Sequence, residues 1–137
     1  MARWSIPIDR YVAAAKGDLN KAARAVALDL FSRVIVRSPV DTGRFRGNWQ
    51  IDVSIVPEGW AEQFDRGGQA TIDKGRAGLA AYKLGQTISI RNNLPYAVAL
   101  ENGHSGQAPT GVVKVTVVEF AGIARAAAAR IRAGENP

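Results

Sequence analysis

Two amphipathic helical stretches towards the two ends of the chain, short β-branched runs between them and a glycine-rich middle predict an α+β protein. The expected form is a small, mainly antiparallel sheet of about three to four strands packed against two long helices, with a Gly-rich inserted loop. At 137 residues the chain fits one domain, 1–137. Hydrophobic residues make up 47% and charged residues 22%, the balance of a folded domain rather than a disordered or fibrous one, so a buried core is expected.

From Asp9 to about Val36, apolar residues recur at three- and four-residue steps (Tyr11, Val12, Ala15, Leu19, Ala22, Ala23, Val26, Leu30, Phe31, Val34), which is helical spacing with one buried stripe. Gly17-Asp18 is a place for a bend or a restart. Ser38-Pro39 ends the helix, because proline cannot continue the hydrogen-bond ladder and restricts the residue before it. Asp41-Thr42-Gly43 reads as a turn. Trp49, Ile51, Val53 and Ile55 alternate with polar residues and mark a strand over 49–56 with one buried face. A second strand is expected at Gln86–Arg91, and a short helix after Pro95. Val112–Val115 reads as a further strand, pairing with Gln86–Arg91. Thr116-Val117-Val118-Glu119 then has the form of a capping box for a last helix to about Ala133, with Gly134 as its stop.

Six glycines (59, 67, 68, 75, 78 and 85) lie between Gly59 and Gly85, which predicts a flexible inserted loop, an excursion from the core. Ile72, Leu79 and Tyr82 allow a short helix in its second half, against the weakening effect of Gly75 and Gly78.

Cysteine is absent, which excludes disulfides, thiolate nucleophiles and cysteine-based zinc sites. His104 is the single histidine, so a multi-histidine metal site cannot be built. Asp41, Glu101 and His104 are the one combination resembling acid, base and orienter, without an activated-serine elbow or phosphate loop beside them. No enzyme activity and no cofactor are expected. Trp49, Trp60 and Tyr96 suit base stacking, although the patterning around Trp49 and Tyr96 points to core packing. No apolar run is long enough to span a bilayer and the first residues lack a signal-peptide core, so a soluble intracellular product without membrane contact is expected. The net charge of +6 and pI of 10.2 fit either a solvated basic surface or contact with nucleic acid.

Arg44-Phe45-Arg46-Gly47-Asn48-Trp49 places two arginines around an aromatic ahead of a strand, a composition found in contact surfaces and equally in solvated loop edges. Long charged side chains in a turn are rarely buried, so replacing both arginines is expected to cost roughly 1 kcal/mol or less of monomer stability.

The stretch Ser38-Pro39-Val40-Asp41-Thr42-Gly43-Arg44-Phe45-Arg46-Gly47-Asn48-Trp49 is followed by Ile90-Arg91-Asn92-Asn93-Leu94-Pro95-Tyr96-Ala97. Next come Leu100-Glu101-Asn102-Gly103-His104-Ser105-Gly106-Gln107-Ala108-Pro109 and a Gly-x-Val start with a Thr-x-x-Glu-Phe helix over Gly111–Phe120. In that order these stretches resemble the neck or tail completion proteins of lambda-like long-tailed bacteriophages. The likeness covers nearly the whole chain except 59–85 and the extreme ends. Asn102 stands where many relatives have an aromatic and Val112 where methionine is common. The resemblance implies a non-enzymatic virion protein of the tail or neck, present in host cytoplasm during assembly. It would complete the tail and join it to the head as a homo-oligomeric ring, with other tail and neck proteins as partners and non-specific contact with packaged DNA. Its interface residues would be Arg44, Arg46, Asn48, Glu101, His104 and Gln107. The alternative from another class is a basic DNA-binding accessory protein.

Overall fold

The apolar stripe of the N-terminal half folds into α1, Leu19–Arg37, in the computed structural model, which describes residues 2–6, 19–55, 57–83, 85–103, 105–108 and 111–132. Ala22, Ala23, Val26, Ala27, Leu30, Phe31, Val34 and Ile35 are all buried. The expected start of this helix over 9–18 lies outside the described residues, as do His104 and Gly134. Five further described helices follow: α2 (Arg44–Gly47), α3 (Gln69–Leu79), α4 (Ala97–Glu101), α5 (Val113–Val118) and α6 (Phe120–Arg132). With a small antiparallel sheet they make an α+β fold. No described helix is long and apolar enough to cross a membrane.

The sheet consists of β1 (Ala2–Ile6), β2 (Gln50–Val53) and β3 (Ile88–Asn92) in the order β1-β3-β2, both pairings antiparallel. β3 is the centre: Ile90 stands opposite Trp4 on one side and Ile51 on the other. Every residue of β3 is buried. Arg91 can be buried there because Asp52 on β2 accepts its Nε–H at 2.6 Å, so the charge enters the interior already paired. β1 was not expected; its alternation of Trp4 and Ile6 is too short to stand out in the sequence. β2 is shorter than the 49–56 reading. Ser54, with φ 67°, turns the chain after Val53 and leaves Ile55, expected on the buried face, exposed.

Two readings are corrected. Val112–Val115 is not a strand, since α5 begins at Val113 and is followed across Glu119 by α6. Helix wins over β-propensity here because the Glu101 carboxylate accepts the N–H groups of Val112, Val113 and Lys114 at 2.7, 2.8 and 2.8 Å, satisfying the donors a helix start leaves open. Thr116 accordingly does not cap α6: its hydroxyl donates to the Val112 carbonyl one turn back. Nor is all of 59–85 an excursion from the core, because its second half forms α3 as the short helix allowed there, and Ile72, Leu79 and Tyr82 are buried in the core.

α3 is the helix that packs against both β2 and α1. Gly75, read in the sequence as a helix weakener, is what permits this. A Cβ there would lie 2.3 Å from a ring carbon of buried Phe31, so only a bare backbone can pass. On helix propensity alone Gly75→Ala would gain about 1 kcal/mol. Steric overpacking against Phe31 reverses the sign, and the variant is expected to lose about 1–3 kcal/mol in urea unfolding.

Candidate functional site

The chain leaving α1 is fastened at once. The Ser38 hydroxyl donates to the Val34 carbonyl and accepts the Trp49 indole N–H, both at 2.6 Å and both buried. Asp41-Thr42-Gly43 turns the chain into α2, with Gly43 at φ 89° and its carbonyl accepting the amides of Gly47 and Asp65. A Cβ on Gly43 would fall 2.6 Å from the Arg66 nitrogen, so the turn is held close against the segment entering α3. Phe45 meets Trp49 edge-on at 5.5 Å and Tyr96 at 6.2 Å, joining α2 to the start of α4.

The residues expected to face a partner are mostly internal links. Arg46 donates to the carbonyls of Val36 (3.0 Å), Ser38 (2.9 Å) and Arg66 (2.6 Å), bridging the end of α1 to the segment ahead of α3. Asn48 is buried, donating to the Arg44 carbonyl and accepting the Ala61 amide. Glu101 is buried and occupied at the start of α5. Gln107 is exposed, but its amide clasps Val40, accepting its N–H at 2.8 Å and donating to its carbonyl at 3.1 Å. Arg44 pairs with Glu62 at 2.8 Å and lies 4.4 Å over the Trp60 ring, half-buried at the surface. His104 lies outside the described residues. The expectation that both arginines matter little to the fold is therefore corrected for Arg46, whose charge completes three backbone carbonyls.

The Gln107–Val40 clasp closes one side of a cleft of about 500 Å3 between the 39–45 turn and the 105–107 loop, with Tyr96 and Leu100 in its wall. Asp41 is exposed at this cleft, whereas the Glu101 carboxylate is buried and held by the amides at the start of α5. No group of three or more metal-ligating side chains occurs among the described residues. The arrangement suits binding by shape and hydrogen bonding. Trp60, at 44% exposure, stands on the neighbouring surface under Arg44, and Phe64, at 57%, is exposed further along the same segment; Trp60 was read in the sequence as a stacking group, Tyr96 as pointing rather to core packing, and Phe64 was missed.

A second concavity, also about 500 Å3, opens between α1, α3 and α6. Leu28 and Leu79 contribute to its apolar floor, and Lys21, Arg24, Arg76 and Arg130 surround it. Asp29 is in the same wall, with its carboxylate engaged by Arg33 at 2.8 Å. Sequence reasoning missed this groove because its lining is drawn from three helices; the only local signal was Lys21 and Arg24 one turn apart.

Two carboxylates hold helices in place electrostatically. Asp65 accepts the amides of Gly68 (3.0 Å) and Thr71 (2.8 Å) and the Thr71 hydroxyl (2.6 Å), capping α3. Its burial alone would raise its pKa. The hydrogen bonds from Thr71 and Gly68, with the charge of Arg46, outweigh that and hold it below the usual value. Glu119, between α5 and α6, is held low by its hydrogen bond from Arg37, despite some desolvation, and by Arg33, which donates to it at 2.6 Å. Compared with protein-family models, curated proteins and solved structures, the chain matches none of them.

The two arginines are separable by denaturation. Arg46→Ala is expected to cost about 1.5–3 kcal/mol, as charge-assisted bonds to three backbone carbonyls are lost. Arg44→Ala should cost about 1 kcal/mol or less, being a surface pair with one ring contact. Equal losses would contradict this assignment. Acid should also weaken the fold through Asp65 and Glu119. Their lowered folded pKa values add stability that is fully present above the unfolded value of about 4 and is lost as pH falls through the lowered values. Asp65→Asn is expected to lower Tm at pH 7 and to flatten its decline between about pH 4 and pH 2.

Proposed function

We propose that this chain is a non-enzymatic structural subunit of a long-tailed bacteriophage virion, acting in tail completion and head–tail joining as a homo-oligomeric ring at the head-proximal end of the tail. The observation that carries the reading is the convergence of the separate stretches on which the resemblance rests. The 38–49 stretch is fastened to the third by Gln107 on Val40 and to the second by Asn92, whose Nδ2 donates to the Phe45 carbonyl at 2.8 Å. The third is fastened to the last by Glu101 on the start of α5. Short motifs scattered along a chain but joined into one frame are what a shared fold requires.

In this role the frame is a scaffold, and partner contact falls to the exposed groups around it. Other tail and neck proteins are the expected neighbours, with non-specific contact to packaged DNA through the basic surface. The alternative of a basic DNA-binding accessory protein draws on the net charge of +6 and on the cations around the α1–α3–α6 groove. The apolar floor of that groove suits side chains better than a phosphate backbone, which is recognised by charge and hydrogen bonding.

The purified chain is expected to form closed rings in negative-stain electron micrographs and to restore head–tail joining in a phage lacking its own neck protein. A monomer whose tight DNA binding falls steeply with salt would replace this reading with the DNA-binding one.

A further inference from the structure

The surface segment 57–64 and the α1–α3–α6 groove are complementary, and they lie at opposite ends of the same helix pair. The segment has no regular secondary structure, yet its backbone is pinned repeatedly. The carbonyls of Pro57 and Gly59 accept Asn93 Nδ2 at 3.5 and 3.0 Å, and the Ala61 amide donates to Asn48 Oδ1 at 3.0 Å. Just beyond, the Asp65 amide donates to the Gly43 carbonyl at 3.0 Å. Glu58, Trp60, Glu62 and Phe64 are all exposed. The result is a preformed strip in which carboxylates alternate with aromatic rings, and little ordering remains to be done on binding. Arg44 steadies its middle, paired with Glu62 and stacked on Trp60.

The groove offers the reverse pattern, an apolar floor surrounded by cations, of which Arg76 is paired at the surface with Asp73 at 2.9 Å; Asp29 in its wall is already engaged by Arg33. α1 and α3 run antiparallel. Gly68 abuts Ile35, Gly75 abuts Phe31, and the Tyr82 carbonyl accepts Arg24 Nη1 at 3.0 Å. The groove therefore sits along the earlier part of α1, while the strip is fastened to residues beyond its C-terminal end. With α1 spanning about 28 Å, a copy cannot seat its own strip in its own groove without leaving these pins.

We infer that the Glu58–Phe64 strip of one copy docks in the α1–α3–α6 groove of the next, Trp60 and Phe64 on the Leu28–Leu79 floor and Glu58 and Glu62 towards the surrounding cations. The contact joins two different surfaces, so it repeats head to tail, and a rotation that closes makes it the ring. The inference rests on the ring proposed above and supplies its subunit contact.

The test is the mass of the full-length chain in solution, by sedimentation velocity across a concentration series. The variant E58K/E62K and the variant R76E/R130E, altered only at exposed positions, are each expected to need at least about tenfold more protein to assemble. All four changes in one chain should restore assembly. As a second measurement, Glu58→Cys with Ala80→Cys in this cysteine-free chain should give a covalent ladder of oligomers on oxidation. Assembly by both charge-swapped variants at the wild-type concentration, or an oxidised double-cysteine protein that stays monomeric, overturns the contact and leaves the ring. A wild-type chain that is monomeric at every concentration overturns both.

Discussion

A helix that stops at Arg37 presents backbone carbonyls with no partner in the helix, and here a side chain from the next element reaches them. The Arg46 guanidinium supplies the missing donors to Val36 and Ser38 and reaches on to Arg66. The same side chain contributes to the low pKa of Asp65, which in turn caps α3. One cation thus sets the end of α1, the course of the 38–46 turn and the entry into α3. The clasp on Val40, the seat of Trp49 and the position of the 57–64 segment all presuppose that geometry. An ordinary C-terminal cap, with a glycine continuing the chain, would end α1 but would not couple it to the segment at Arg66.

What was legible in the sequence was what depends on local periodicity. The stripe of α1 and the strand read at Gln86–Arg91 are properties of neighbouring residues and emerged close to where they were expected. The fate of Val112–Val115 was illegible because it depends on Glu101, a carboxylate from another element that arrives in space. β-Branched residues accept helix when the alternative leaves three amides and a buried carboxylate unpartnered. Gly75 misled for a similar reason. Its composition signal is flexibility, and its structural meaning is closeness to Phe31, which only the packed arrangement reveals.

The candidate site shows the same division. Most of the polar residues picked out as contact-making were rightly sensed as unusual, but unusual for reasons internal to the fold. Asn48 and Glu101 are buried polar groups whose every role visible here is to complete backbone hydrogen bonds. Among the described ones, Gln107 is exposed and Arg44 half-buried at the cleft. The surfaces with binding character are instead Trp60 and Phe64 on the 57–64 segment and the basic groove, which single-sequence patterns do not expose because neither lies on one periodic element.

The order β1-β3-β2 also sets a timetable for folding. The central strand comes last in the chain, and Ala2 waits for Asn92 as its partner. As the chain leaves a ribosome, α1 can gather its local turns early, whereas neither edge strand has anything to pair with until β3 is made. Both ladders then depend on closing long loops, the slow kind of step in domains of this size. Until then the apolar face of α1 and the strand residues Ile51 and Val53 remain uncovered, so the interval between synthesis of β2 and of β3 is when this chain is most open to aggregation or to capture by a chaperone.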